Sequence, residues 1–296
     1  MFAMPPPGSQ RNNWVPKRRS AMSSPSQPVV KVDVFTTTPY AGAPAAVCIS
    51  STAPDETWMA RVSREMACPN TAFAQPRTDR DGYDLRWFTA GGNEVALCGH
   101  ATLATAHVLF ETGQIAEGAP ALFHTQSGKL TAVRQPDGSI EMNFPLEIAA
   151  PLNEIPPALT AGLGTDLVWV GRNRLDYVVE VGSEEALRAL KPNLATLAEI
   201  ETRGFVVTAR AARPEQDGYD YVLRFFGPRV GVAEDMVTGT AHCALGPYWR
   251  DKLPGKTRFV AFQASPRGGF VNVRLDGDRV LISGSAVTVL RGELLA

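Results

Sequence analysis

FTAGGNEVALCGHATLATAHVLFETG, residues 88–113, is the stretch on which the fold turns. It leaves a strand at Phe88, crosses a Gly91-Gly92 loop that carries Glu94, and enters a helix at Gly99 with its stop signal at Gly113. The same outline returns in FGPRVGVAEDMVTGTAHCALGPYW, residues 226–249: Phe226 at a strand end, a loop with Glu234 and Asp235, then a helix from Gly239 to Trp249. The two copies lie too far apart for a solenoid repeat. Two similar lobes facing each other bring two helix N-termini to one cleft.

That pairing carries chemistry. The first turn of a helix leaves about four N–H donors unpaired and carries a partial positive charge. Glycine there admits a ligand close to the backbone. Two facing starts can hold a carboxylate and stabilise the enolate-like charge that develops when a neighbouring carbon loses a proton. Proton-moving groups stand beside both glycines: Cys98, His100 and Glu94 at the first, Glu234 and Asp235 at the second. A cysteine at a helix N-terminus can have a depressed pKa, and a histidine can work as acid or base near neutrality. His107, His124 and His242 read as structural. His100 and His242 do not make a metal pair, and no metal is expected.

Outward from the two helices, VVKVDVFT (29–36), AAVCIS (45–50), TAFAQ (71–75), YDLRWFT (83–89), ALFHT (121–125), KLTAVR (129–134) and SIEMNF (139–144) read as strands, with Asp55 capping a helix to about Met66. A Pro-rich stretch, PLEIAAPLNEIPPAL (145–159), separates the halves. Strands DLVWVG (166–171), YVVEVG (177–182), FVVTA (205–209) and YDYVLRFF (219–226) follow, with a helix from Ser183, and three strands close the chain. The expected division is a disordered tail over 1–28, one lobe over 29–148 and a second over 149–296.

Bulk properties agree with a small-molecule protein. The 296 residues suffice for two lobes of about 130 residues each. Residues 1–28 hold Pro5-Pro6-Pro7, the basic cluster Lys17-Arg18-Arg19 and no acidic residue, without the apolar stretch of a secretory signal. A formal net charge of −1 gives no electrostatic reason for a nucleic-acid or membrane-surface partner. The four cysteines form no CxxC pair and read as free thiols of a reducing cytosol. No apolar run approaches the roughly 18 residues of a membrane span.

Five segments together resemble a known family: VDVFTTTPYAGAPAAV (32–47), REMACPNTAFAQP (64–76), RWFTAGGNEVALCGHATLATAHVLF (86–110), FFGPRVGVAEDMVTGTAHCALGPYW (225–249) and QASPRGG (263–269). Their order and spacing are similar to the phenazine-biosynthesis-protein-F-like group of the diaminopimelate-epimerase fold, over about residues 30–290. The resemblance implies two pseudo-symmetric lobes, each a mixed sheet wrapped around a central helix, with the last strand crossing back to the first lobe. It implies acid–base isomerisation in the cleft without cofactor or metal, in a cytoplasmic homodimer.

By resemblance, Gly99 and His100 match the Gly-His of the first helix, with Ala101 beside them. Asp235 matches the acidic residue of the EDPVTGSA-type segment, where Met236 replaces proline, and Gly239, Thr240 and Ala241 match its Gly-Ser-Ala. Cys98 falls where related epimerases carry a proton-moving cysteine. In the Ser-Glu-Thr triplet that holds the family's glutamate, this chain has Pro69-Asn70-Thr71. Asn70 therefore orients substrate by hydrogen bonds, since an amide cannot serve as a carboxylate base. The expected activity is a proton or double-bond shift in a small carboxylic or amino acid of secondary metabolism, such as antibiotic biosynthesis, with Asp235, His100 or Cys98 as base. Two alternatives stand: a Cys98/Asp235 racemase or epimerase, and a silent small-molecule-binding member that has lost the glutamate.

Overall fold

A computed structural model describes residues 26–295. The expected N-terminal tail lies outside the described residues except for its last three, of which Gln27 and Pro28 already open the first strand.

The first unit runs β1 (Gln27–Val34), β2 (Ala43–Ile49), α1 (Glu56–Met66), β3 (Asn70–Pro76), β4 (Tyr83–Thr89), β5 (Glu94–Val95), α2 (Gly99–Glu111), β6 (Ala121–Thr125), β7 (Gly128–Arg134) and β8 (Ile140–Pro145). Asp55 caps α1 by accepting from the Trp58 N–H at 3.0 Å. After β9 (Ala150–Pro151) and α3 (Pro157–Leu163), the second unit follows: β10 (Leu167–Arg172), β11 (Asp176–Val181), α4 (Glu184–Ala189), α5 (Leu194–Ala198), β12 (Gly204–Arg210), α6 (Pro214–Asp217), β13 (Tyr221–Gly227), β14 (Val232–Asp235), α7 (His242–Lys252), β15 (Arg258–Gln263), β16 (Gly269–Asp276) and β17 (Arg279–Gly284). β18 (Ala286–Leu294) ends the chain.

The pairings repeat strand for strand. β1–β2 and β10–β11 are antiparallel, β2–β3 and β11–β12 parallel, β3–β4 and β12–β13 antiparallel, β4–β6 and β13–β15 parallel. β8 pairs with β17, joining the two sheets. β9 then adds to β10 and β18 to β1, so the strand following each unit pairs with the first strand of the other. The architecture is α+β with two pseudo-symmetric lobes.

Period-2 alternation explains how each sheet holds helices on both faces. On β2, Ala45 and Val47 face the core around α2, while Ala46 and Cys48 pack with Met59 and Val62 of α1. On β12, Val206 joins the α2/α7 core, while Phe205 and Val207 meet Leu159, Leu187 and Leu197 of α3–α5. Helix α2 is buried continuously from Gly99 to Ala106, as its lack of a polar face requires.

Three expectations change. The loops entering the two helices each contain a strand, β5 and β14, which lie antiparallel on β4 and β13. Two to four residues are too few to show a period. The second helix begins as a 3₁₀ turn at Gly239–Ala241, and the α-helix proper starts at His242. Four strands close the chain instead of three, because Gly284-Ser285 breaks the final apolar run into β17 and β18.

Candidate active site

The two helix starts meet. A Cβ built on Gly99 would lie 4.0 Å from Thr240 Cγ2 and 3.7 Å from Phe144 Cζ, so only a glycine leaves that gap open. Among the described residues, the N–H groups of Gly99, His100 and Ala101 in the first lobe, and of Gly239 and Thr240 in the second, donate to no backbone carbonyl. Ala101 and Ala241 bury their methyls, so only their backbone can serve. The Ala241 N–H is already spent on Thr238 O at 3.1 Å, which removes it from the expected ligand donors.

Cys98 precedes α2 in an extended conformation, with its sulfur 3.5 Å from His100 Nδ1. The low thiol pKa expected from the helix start is overturned. Burial pushes Cys98 up to about 12, and the charge of Asp235 adds to the rise, outweighing the pull of the Ala101 and His100 N–H groups. Burial likewise lowers the pKa of His100, against the opposing charge of Asp235. Both groups are therefore neutral at ordinary pH.

Asp235 is the half-buried last residue of β14, and it acts electrostatically on Cys98 and His100 from the other lobe. Its Oδ2 accepts from Thr238 Oγ1 at 2.6 Å. The fully buried Gln263 fixes this turn, donating to Asp235 O at 2.8 Å and accepting from the Thr238 N–H at 2.7 Å. Ser265 Oγ donates to Met236 O at 2.7 Å. Gln263 and Ser265 belong to the QASPRGG segment, which showed family resemblance but had no assigned role. Glu94 and Glu234, neighbours of the site in sequence, are instead clamped by Arg86 and Arg224 in matching two-pronged pairs.

Asn70 opens β3, opposite Ala45 and Thr89. Among the described residues no hydrogen bond reaches its side-chain amide, and none joins it to Cys98, His100 or Asp235. The structure thus brings together Cys98, Gly99, His100, Asp235, Gly239 and Thr240, and leaves Asn70 unattached to them.

The other histidines take structural partners. His242 Nδ1 meets Tyr221 OH at 2.9 Å, His107 Nε2 meets Thr288 Oγ1 at 3.1 Å, and His124 Nε2 meets Asp81 O at 3.0 Å. Among the described residues no three His, Cys, Asp or Glu side chains gather as metal ligands, and no helix is long and apolar enough to cross a membrane. A cavity of about 760 Å³ is an open groove lined by Glu184, Arg188, Tyr219, Phe262 and Phe270. It contains none of the helix-start residues. The helix-start residues lie instead where the two lobes meet.

Comparison with known proteins supports the fold and places it in a family. Residues 32–292 match the family described as phenazine biosynthesis-like protein. An uncharacterised isomerase of Halalkalibacterium halodurans is 49% identical over 268 residues, covering 90% of this chain and 98% of the relative. Phenazine biosynthesis-like domain-containing protein 2 of Mus musculus is 40% identical over 290 residues, covering 91% and 99%. The crystal structure of a phenazine biosynthesis protein PhzF family member from Enterococcus faecalis superposes with a TM-score of 0.84 at 34% identity, covering 92% of this chain and all of the other. A hydroxyproline epimerase of Agrobacterium vitis, 13% identical with a TM-score of 0.58 and covering 91% and 92%, shares the fold alone. With its family model matched over nearly the whole described chain, this protein belongs to the phenazine biosynthesis-like family, on an epimerase-like two-lobed fold.

Proposed function

We propose that the protein is an isomerase that shifts a proton, and with it a double bond, in a small carboxylic or amino acid bound between the lobes. The observation that carries this is the meeting of two helix starts, with N–H donors on both sides that no backbone carbonyl takes, beside one carboxylate whose charge reaches Cys98 and His100. In this reading the donors hold the substrate carboxylate and receive the charge that develops on it. Asp235 removes the proton from the adjacent carbon. Asp235, protonated by that step, returns the proton at the new position and is regenerated, while the neutral His100, with Cys98 against its Nδ1, hydrogen-bonds to the substrate beside it. The burial that keeps Cys98 a thiol counts against the Cys98/Asp235 epimerase, which needs a thiolate. Names of relatives such as the Halalkalibacterium isomerase support the reaction class. A substrate from secondary metabolism, a homodimeric assembly and a cytoplasmic site extend the proposal on family grounds.

Asn70 favours a second reading, a member that binds without turnover, because its unattached amide stands where the resemblance places the family's glutamate. Deuterium incorporation separates the two. The protein is incubated in D₂O with a panel of unsaturated and α-amino carboxylic acids, and mass shifts are followed. An isomerase exchanges at least one compound, and Asp235→Asn abolishes the exchange with folding retained. Ligand-induced thermal stabilisation without exchange across the panel would instead identify the silent binder.

A further inference from the structure

Beside the second helix start the two lobes stop being equivalent. The strand registers set Asn70 against Gly204 and Ala45 against Asp176, because Ala45 pairs with Asn70 just as Asp176 pairs with Gly204. Pro69 therefore corresponds to Arg203. Counting from the matched Glu94 and Glu234, His100 corresponds to Thr240. The first lobe has no charge at Ala45 and Pro69, whereas the second has an ion pair.

Arg203 lies flat on Asp176, Nε to Oδ1 at 2.8 Å and Nη2 on Oδ2, and its Nη1 donates to Thr240 Oγ1 at 3.2 Å. The Asp176 side chain is 3% exposed and that of Arg203 31%. The guanidinium sits 5.6 Å from the centre of the Phe225 ring. A Cβ on Gly204 would come within 2.2 Å of that ring, so glycine after Arg203 is what lets the stack form. The side chain is thus held by a carboxylate, a ring and a hydroxyl. It was not among the residues expected from the sequence.

We propose that Arg203 is a positioning residue: it holds Thr240 so that the hydroxyl proton is presented to the substrate carboxylate. A guanidinium only donates, so toward Arg203 the Thr240 oxygen can only accept. Its own proton must leave in another direction, and among the described residues no acceptor takes it. Donation from a cation also makes that hydroxyl a stronger donor. The role rests on the proposed carboxylate site, and it makes the second helix start the polar grip of the cleft.

The test measures calorimetric affinity for two planar probes, pyrrole-2-carboxylate and benzoate, and for their neutral amides. The variants are Thr240→Val, Thr240→Ser, Asp176→Asn/Arg203→Met, and the triple combination with Thr240→Val. Replacing both charged partners avoids stranding a buried charge. Thr240→Val and Asp176→Asn/Arg203→Met are each expected to weaken the carboxylates about tenfold, the worth of one hydrogen bond to a charge. Amide affinity stays unchanged, Thr240→Ser binds like the parent, and the triple variant is no weaker than the worse of the two. Additive losses, or unaltered binding in Asp176→Asn/Arg203→Met, overturn the positioning role. Parent exchange in D₂O alongside unaltered binding in that variant sinks this inference and leaves the isomerase standing. The expected binding pattern without any exchange does the reverse. A parent protein that binds neither carboxylate overturns both.

Discussion

Gly99 is the residue at which a single methyl tests the site without testing the fold. The distances from its would-be Cβ, 3.7 Å to Phe144 Cζ and 4.0 Å to Thr240 Cγ2, are ordinary van der Waals contacts, so the protein can accommodate alanine. Alanine also loses nothing in helix propensity. Gly99→Ala should therefore leave urea-unfolding stability within about 0.5 kcal/mol of the parent. The methyl nevertheless fills the gap where a carboxylate would approach the backbone donors, so affinity for pyrrole-2-carboxylate should fall beyond detection. A variant that binds normally would place the ligand elsewhere. Gly239 does not allow so clean a test, since its Cβ would lie 3.3 Å from Phe35 Cζ and alanine there would strain the packing as well.

At the scale of elements, the strand–short strand–helix unit is held by one ion pair per lobe, and the two differ in depth. Arg224 and Glu234 are 12% and 17% exposed, and Arg224 Nη1 also donates to Leu190 O at 2.8 Å. Arg86 and Glu94 are 34% and 19% exposed. Glu234→Ala strands a largely buried cation held, among the described residues, only by the Leu187 and Leu190 carbonyls, and should cost about 3 kcal/mol. Glu94→Ala leaves an arginine that water can reach and that keeps Glu56, and should cost about 1 kcal/mol. Equal losses in urea unfolding would contradict the difference in burial. These pairs also mark how far the sequence could be read. Tyr83–Thr89 and Ala121–Thr125 matched their expected spans because their apolar residues carry the period of a strand. β5 and β14 were read as loops, being too short for any period, although Glu94 and Glu234 sit five residues before Gly99 and Gly239. Of the site, Cys98, Gly99, His100, Asp235, Gly239 and Thr240 were legible through their local motifs. Arg203 and Asp176 were not, because they are 27 residues apart and joined only by the parallel pairing of β11 and β12. Nor could the raised pKa of Cys98 be foreseen, since burial in the closed seam overrides the local pull of the helix start.

At the scale of the whole molecule, the interior encloses imidazoles whose burial opposes protonation. His242 is fully buried, with one nitrogen on Tyr221 OH and, among the described residues, no partner for Nε2, and burial lowers its pKa to about 3. In the unfolded chain it returns to 6.5. The folded pKa is the lower one, so below 6.5 the unfolded state binds the extra proton. The stabilisation is complete above pH 6.5 and is lost as pH falls toward 3, at about 1.4 kcal/mol per pH unit for this one group. His100 and His107 are shifted by burial in the same sense and add to the slope. The carboxylates held low by their partners, among them Glu94 and Glu184, lose their contribution only below their unfolded value of 4.5. Between pH 6.5 and 4.5 the histidines therefore dominate. Urea unfolding should show stability falling steadily from pH 7 to pH 5, and less steeply in His242→Gln, which still offers Tyr221 a partner but does not titrate. A profile flat over that range would mean that these imidazoles take up protons in the folded state, and that the core around α2 and α7 opens to water more readily than its packing implies.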